Sequence, residues 1–332
     1  MNKAYAVAFT ANDQVELTSF ELPDLQAGEV LIRTEVSGVS PGTEMRCLAG
    51  MQPESVAYPY VPGYSMAGVV EAVASGSHIA VGDRVFASGT KRASINLQWG
   101  GHVSHAIASE DSVYPIPTGC PSKLASLSKL AAIALRGVRV SRSSSSDHVA
   151  VVGLGPIGML SARLHRAAGA QVLGLDQEIS RVNLAKASGI DAAVVKGTIL
   201  ETVQEHFGQG ADIVVDATGN PKVLPFSLAA VRDLAWGITE INGPKLVIQG
   251  SYPDQFSLPY QYAFRKELTI LLPRDGSPAE IRDILSMIAN GACQVEDLIS
   301  WYGDPSDAHQ AYGRLRSDRT SMTVAFDWSA YS

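Results

Sequence analysis

Six residues, Gly153-Leu154-Gly155-Pro156-Ile157-Gly158, constrain this chain more than any other stretch. They follow an apolar run from His148 to Val152 and open a helical pattern running from Pro156 to about Ala168. A strand, a glycine turn and a helix in that order form a dinucleotide-binding unit. The first glycine permits the tight turn, the second lets a pyrophosphate approach the backbone, and the third lets helix and strand pack closely. The phosphates then sit at the helix N-terminus, where unpaired N–H groups and the helix dipole favour anions. Pro156 suits a first helical position because the amide it lacks would be unpaired there, and Ile157 completes the turn beside it. The next apolar run, Gln171 to Leu175, ends in Asp176, twenty-three residues after Gly153. A carboxylate there bonds both ribose hydroxyls of NAD and repels the 2′-phosphate of NADP, so the expected cofactor is NAD. Arg181, on the following helix, is counted with this set.

The texture of the chain divides around this unit. Through residue ~120 it reads as short alternating strands (AYAVAF, QVELTSFEL, EVLIRTEVSGV, GVVEAV, DRVFAS, HVSHAIA) broken by Gly, Pro, Asn and Asp, the pattern of a small barrel or sandwich. KLASLSKLAAIALRGVRV carries apolar residues at helical spacing and is expected as one helix. From His148 strands and helices alternate (HVAVVG, AQVLGLD, AAVV, ADIVVDATG, KLVIQGS), which implies a doubly wound parallel sheet covered on both faces. A helix or two and a closing strand finish the chain. The net charge of −7 argues against a nucleic-acid partner or an anionic membrane. No run reaches the ~18 apolar residues of a membrane span, and the alternating N-terminus is not a signal peptide. Three dispersed cysteines, Cys47, Cys120 and Cys293, read as reduced thiols of a cytoplasmic protein.

Val81-Gly82-Asp83-Arg84-Val85, GLGPIG, Asp216-Ala217-Thr218-Gly219-Asn220 and Phe264-Arg265-Lys266-Glu267-Leu268, in that order along nearly the whole chain, resemble the motifs of the medium-chain dehydrogenase/reductase superfamily. The resemblance implies an α/β architecture: a GroES-like β-rich catalytic domain (1–124), a Rossmann NAD-binding domain (125–270) and a C-terminal return (271–332). It implies an active site in the cleft between the two domains, with Thr218, Gly219 and the Gly250-Ser251-Tyr252 turn positioning the nicotinamide. It also implies a homodimer joined edge to edge through the Rossmann sheets.

Carried over position by position, the family pattern breaks at the metal. The first zinc-ligand position falls on Ser40 or Pro41, an ambiguity of one residue in Val39-Ser40-Pro41-Gly42-Thr43-Glu44. The family's His-Glu pair falls on Tyr64-Ser65, and its third position near Ser128-Lys129. Three cysteines without a C-x-x-C pair cannot form the structural-zinc lobe. His102 and His105, at an odd offset on a strand, would face opposite ways. Both zinc sites are therefore expected to be absent. Zinc would stabilise a developing alkoxide as a Lewis acid, and in its place a hydrogen-bond donor or a fixed charge is needed. The candidates are Tyr64 as donor, Lys129 as charge, and Ser40 and Thr43 as proton relays, with Glu44 orienting the loop. Trp99, Tyr252 and Trp301 are candidate lining for a bulky substrate.

SGVSPGTE and the C-terminal Ala325-Phe326-Asp327-Trp328 are similar to a zinc-lacking subgroup that includes bacteriochlorophyllide dehydrogenases, which oxidise a hydroxyethyl side chain to a ketone. The expected activity is zinc-independent, NAD-dependent hydride transfer between nicotinamide and a secondary alcohol or ketone, on a small-molecule substrate. The alternatives are a zinc-free quinone or enone reductase and a non-catalytic NAD-binding sensor. Relatives of the first kind often prefer NADPH, against which Asp176 counts.

Overall fold

The computed structural model describes residues 2–238, 240, 243–252 and 255–331. The chain divides into two compact units, one formed by residues 1–130 and 281–332, the other by 131–280. Each division falls inside a helix, Ser128–Ser141 and Pro278–Ala289, whereas the sequence reading divided the chain at 124/125 and 270/271.

The first unit is β-rich. Asn2–Ala11 and Gln14–Leu22 form a long antiparallel pair, and Glu29–Gly38 lies at the centre of a second sheet between Met66–Val73 and the returning C-terminal strand Thr323–Asp327. Along Glu29–Gly38 alternate residues are fully buried, so one face of the strand supplies core: Val30, Ile32, Thr34 and Val36. A second apolar cluster, holding Phe9, Tyr60, Tyr312, Phe326 and Trp328, packs beneath the helix Pro41–Leu48. That helix departs from the all-β expectation. Pro41 and Gly42 read locally as a turn, yet Pro41 occupies the first helical position, where a missing amide costs nothing. The helix expected over 123–140 is two, Ser122–Ala125 and Ser128–Ser141, interrupted at Ser126 and Leu127. The break has a cause: Ser126 offers its carbonyl to the Ser65 hydroxyl at 2.5 Å. A β-carbon on Gly38 would lie only 2.7 Å from the same oxygen.

The second unit carries, among the described residues, a six-stranded parallel sheet. Its order is Asp191–Val194, Gln171–Asp176, His148–Val152, Ile213–Asp216, Lys245–Ile248, Thr269–Leu271. The order reverses at His148–Val152, the strand that feeds the glycine turn, and ligands bind at the carboxyl ends of strands at such a switch point. Strands of this kind are buried on both faces and read as continuous Val/Ile/Leu runs. Val149 to Val152, Ile213 to Val215 and Leu246 to Ile248 are all buried. Two short helices absent from the sequence reading, Leu224–Ala229 and Tyr260–Arg265, complete the unit.

Candidate active site

Three of the four proposed catalytic side chains meet. Tyr64 Oη lies 2.6 Å from Ser40 Oγ and 3.2 Å from Thr43 Oγ1. Ser40 is the N-cap of helix Pro41–Leu48 and Thr43 stands in its first turn, so one short helix presents both hydroxyls. Tyr64 sits just before strand Met66–Val73, and its ring meets the edge of Trp99 at 5.1 Å between centroids. Trp99, expected as lining for a bulky substrate, packs edge-on against the Tyr64 ring. Gly63 holds the segment with φ +82°, and a β-carbon there would strike His102 Nε2 at 2.5 Å. Lys129, the fourth candidate, is half-buried at the start of helix Ser128–Ser141. It is carried by backbone anchored beside Tyr64 through the bond from Ser65 to Ser126.

Beneath the hydroxyl cluster lies a polar network that the sequence reading only touched. The fully buried Glu44 carboxylate accepts from the Ser40 amide at 2.7 Å, from Tyr312 Oη at 2.5 Å, and meets His102 Nε2 at 2.8 Å. His102 Nδ1 meets Ser37 Oγ at 2.8 Å, and Ser37 Oγ accepts from Trp328 Nε1 at 2.9 Å. Burial, with the neighbouring Glu44 charge, pushes the Tyr312 phenol well above its ordinary range, so it stays a donor. Glu44 was expected to orient the loop. His102, Tyr312 and Ser37 carry no local motif, because they come from residues 37 to 312 and meet only through folding. His105 faces elsewhere and pairs with Glu71. Trp301 was expected as lining but packs against Phe326 in the apolar cluster, at 5.9 Å between ring centroids.

The donor set does not suit zinc. The residues at the family's ligand positions offer hydroxyls and an ammonium, neither of which is a zinc ligand at neutral pH. His102 and Glu44 adjoin, but their polar atoms are already engaged with each other and with Ser37, Ser40 and Tyr312. Among the described residues no group of three or more His, Cys, Asp or Glu is placed to hold a metal.

The second unit suits a dinucleotide. Gly153 turns at φ +86°, and its β-carbon would lie 3.0 Å from Thr218 Cγ2. A β-carbon on Gly158 would collide with the Gly153 carbonyl, whereas one on Gly155 would meet only open space. Two glycines are therefore demanded by packing and the third leaves a cradle. Gly155 caps helix Pro156–Ala167 without a side-chain bond, so no side chain of the cap occupies its first amides. Asp176 Oδ2 accepts from the Leu154 amide at 2.7 Å and Oδ1 from the Glu178 amide at 2.8 Å, with Arg181 3.8 Å away. At the end of strand Ile213–Asp216, buried Asp216 gathers Thr218 Oγ1 at 2.7 Å, Tyr252 Oη at 2.5 Å and Ser227 Oγ at 2.6 Å. Gly219 turns at φ +63° against Ser251, and Gly250 packs against Gly219. Thr218 and Tyr252 thus meet on one carboxylate, and Gly219, Gly250 and Ser251 pack together beside them. Tyr252, counted with the nicotinamide site, spends its hydroxyl on Asp216, and burial with that charge raises its phenol far above the usual range.

Residues 26–118 match the alcohol dehydrogenase GroES-like domain and residues 156–290 the zinc-binding dehydrogenase family. The chain belongs to the medium-chain dehydrogenase/reductase superfamily. It is 26% identical over 340 residues to a 2-desacetyl-2-hydroxyethyl bacteriochlorophyllide A dehydrogenase of Cereibacter sphaeroides, covering 98% of both chains. A sorbitol dehydrogenase of Halalkalibacterium halodurans is 24% identical over 315 residues, 87% of this chain and 89% of that one. In fold it is similar to an Escherichia coli CFT073 alcohol dehydrogenase complexed with NADH (TM-score 0.84, 21% identity, 98% of this chain and 100% of that one). A zinc-binding dehydrogenase homologue from Sinorhizobium meliloti 1021, bound to NADP, superposes equally well (TM-score 0.84, 20% identity, 98% and 100% of the chains). Membership of this superfamily makes the chain an oxidoreductase working with a nicotinamide dinucleotide. No helix among the described residues is long and apolar enough to cross a membrane.

Proposed function

We propose that this chain is a zinc-independent, NAD-dependent oxidoreductase of secondary alcohols and ketones. The observation that carries the reading is the bond of 2.6 Å between Tyr64 Oη and Ser40 Oγ, with Thr43 beside it, where the family pattern would put metal ligands. In the reducing direction Tyr64 gives its proton to the carbonyl oxygen. Ser40 and Thr43, whose hydroxyls rotate freely between donating and accepting, turn to donate into Tyr64 Oη as its charge develops. In the oxidising direction the same bonds reverse. Lys129 adds a fixed positive charge on the segment tied to Ser65, favouring an oxyanion. When bound, the nicotinamide supplies or accepts the hydride. Gly153, Gly155, Pro156, Ile157 and Gly158 would hold its pyrophosphate, and Asp176 its adenosine ribose. The Asp176 carboxylate supports NAD over NADP, although Arg181 beside it offsets part of the repulsion toward a 2′-phosphate.

The relatives' names point to a hydroxyethyl group and a polyol, both of which present secondary carbinols. A homodimer is supported by the outermost strand Thr269–Leu271, which among the described residues pairs within the sheet only with Lys245–Ile248. In the same unit the exposed Phe264 stacks on the exposed Tyr260 and meets the exposed Trp236 edge-on. Three buried free thiols accord with a cytoplasmic setting.

The test is product analysis with C4-deuterated NADH and a panel of cyclic ketones and enones, on enzyme treated with a metal chelator. Deuterium on the carbinol carbon, at a rate the chelator leaves unchanged, supports the reading. Deuterium on the β-carbon of an enone replaces it with conjugate reduction.

A further inference from the structure

Serine is favoured at a helix N-cap because its hydroxyl accepts from the amides of the first turn. Ser40 occupies the N-cap of Pro41–Leu48 and makes no such bond. Its hydroxyl instead meets Tyr64, while the carboxylate of Glu44, one turn further on, reaches back to the Ser40 amide. This is the return half of a capping box, displaced by one residue and performed without the serine's own half. The cap is thereby divided: Glu44 restrains the backbone of Ser40, and the Ser40 side chain is released for Tyr64.

What restrains Glu44 is equally specific. Glu44 accepts from the Ser40 amide and Tyr312, so the His102 nitrogen facing it donates; Nδ1 of the neutral ring then accepts from Ser37 Oγ, which itself accepts from the Trp328 indole. That assignment puts the ring proton on Nε2, where it meets Glu44 Oε2. Tyr312 donates to the same oxygen. Three donors thus converge on one fully buried carboxylate, from the helix cap, from the segment after Trp99 and from the C-terminal helix Ala308–Ser317. A carboxylate buried at such cost is maintained only when its acceptors are filled.

We propose that Glu44 is a positioning residue: held by His102 and Tyr312, it fixes the Ser40 cap so that the Ser40 hydroxyl stays on Tyr64 in the geometry proton transfer needs. This rests on the reading of Tyr64 as the group at the carbonyl oxygen. Glutamine at position 44 keeps the shape but brings one acceptor and two N–H donors to a place where three donors point. Either an N–H then faces the Ser40 amide, or Tyr312 and His102 must both turn from donating to accepting, and the cap loosens.

The experiment is a double-mutant cycle of Glu44→Gln and Tyr64→Phe. Turnover of cyclohexanone with NADH is followed, with NADH affinity from fluorescence titration. Tyr64→Phe is expected to lower kcat ~100-fold, as for loss of a general acid. Glu44→Gln is expected to lower kcat ~10-fold while NADH affinity stays within about threefold, because nothing in uniform binding has changed. In the Tyr64→Phe background the Glu44→Gln effect should shrink below about twofold, since residues acting through one bond are not additive. A full Glu44→Gln loss persisting on Tyr64→Phe overturns the positioning role alone. A Tyr64→Phe enzyme with wild-type turnover overturns the catalytic reading of Tyr64 and the positioning role with it. Should Glu44→Gln not fold, Tyr312→Phe, which removes one donor and leaves the carboxylate, takes its place in the same cycle. Independently of turnover, the crystal structure of the variant should show Tyr64 Oη and Ser40 Oγ separated beyond ~3.5 Å. The bond retained at 2.6 Å would overturn the proposal.

Discussion

Replacing Asp176 by alanine tests how this chain chooses its dinucleotide. Two unit charges about 4 Å apart at an effective dielectric of about 20 interact by about 4 kcal/mol, which sets the scale of repulsion between Asp176 and a 2′-phosphate. Arg181, 3.8 Å from Asp176 Oδ2, already offsets part of this and would itself attract the phosphate once the carboxylate is gone. Allowing for that offset, the expected net change is ~2 kcal/mol, a ~30-fold shift of the affinity ratio toward NADPH. The side chain is only 10% exposed and accepts from the Leu154 and Glu178 amides. Its removal therefore also leaves two donors unpaired, each costing ~1–3 kcal/mol where water does not reach it. A lower melting temperature should accompany the change in selectivity. The assay is fluorescence titration of NADH and NADPH into wild type and Asp176→Ala at two salt concentrations. Most of the shift should persist at the higher one, because a carboxylate this little exposed is only weakly screened. A ratio of NADH to NADPH affinity unchanged by the substitution would refute the argument, since the carboxylate would then play no part in discrimination.

Two further expectations concern stability. His165 is fully buried, neither ring nitrogen finds a partner among the described residues, and burial lowers its pKa to about 3. The unfolded chain takes up the proton first, near the ordinary pKa of ~6.5, so stability present above that pH is lost as pH falls toward 3. At pH 5 the loss is ~2 kcal/mol, and His165→Leu should raise the melting temperature more at pH 5 than at pH 8; an equal gain at both would show that the imidazole does not titrate as argued. Burial pushes the Glu280 carboxyl up, but the Ser277 hydroxyl and amide and the Arg139 guanidinium outweigh it and bring the pKa down to about 2. Its stabilisation is full above the ordinary carboxylate pKa of ~4.3 and lost as pH falls through 2. Denaturant unfolding of Glu280→Gln should therefore show a deficit at pH 7 that narrows toward pH 2, and a deficit constant with pH would contradict the sign.

The sequence by itself determined the dinucleotide unit and the order of elements around it. Gly153 to Gly158, the β-branched runs on either side and Asp176 at the end of the next strand are constrained by neighbours within ~25 residues, and local sterics and period suffice to read them. Tyr64, Ser40, Thr43 and Lys129 could be nominated because the family's ligand positions fall on or beside them, with Ser40 and Pro41 left unresolved. Only tertiary structure shows the Ser40 hydroxyl turned away from its own helix and onto Tyr64. The helix Pro41–Leu48 escaped notice because Pro41-Gly42 has the local signature of a turn and the apolar face that stabilises the helix comes from strands distant in sequence. The carboxylate clamp was beyond reach for the same reason. Glu44, His102, Tyr312, Ser37 and Trp328 show no periodicity together, and their partnership exists only because strand Thr323–Asp327 returns from the far end of the chain to pair with Glu29–Gly38. Asp216 was part of a recognised motif, but its hold on Tyr252 depends on two strand ends that only the parallel sheet makes neighbours. Local backbone preference is written along the chain, whereas a buried hydrogen bond is decided by which distant segments folding brings within 3 Å.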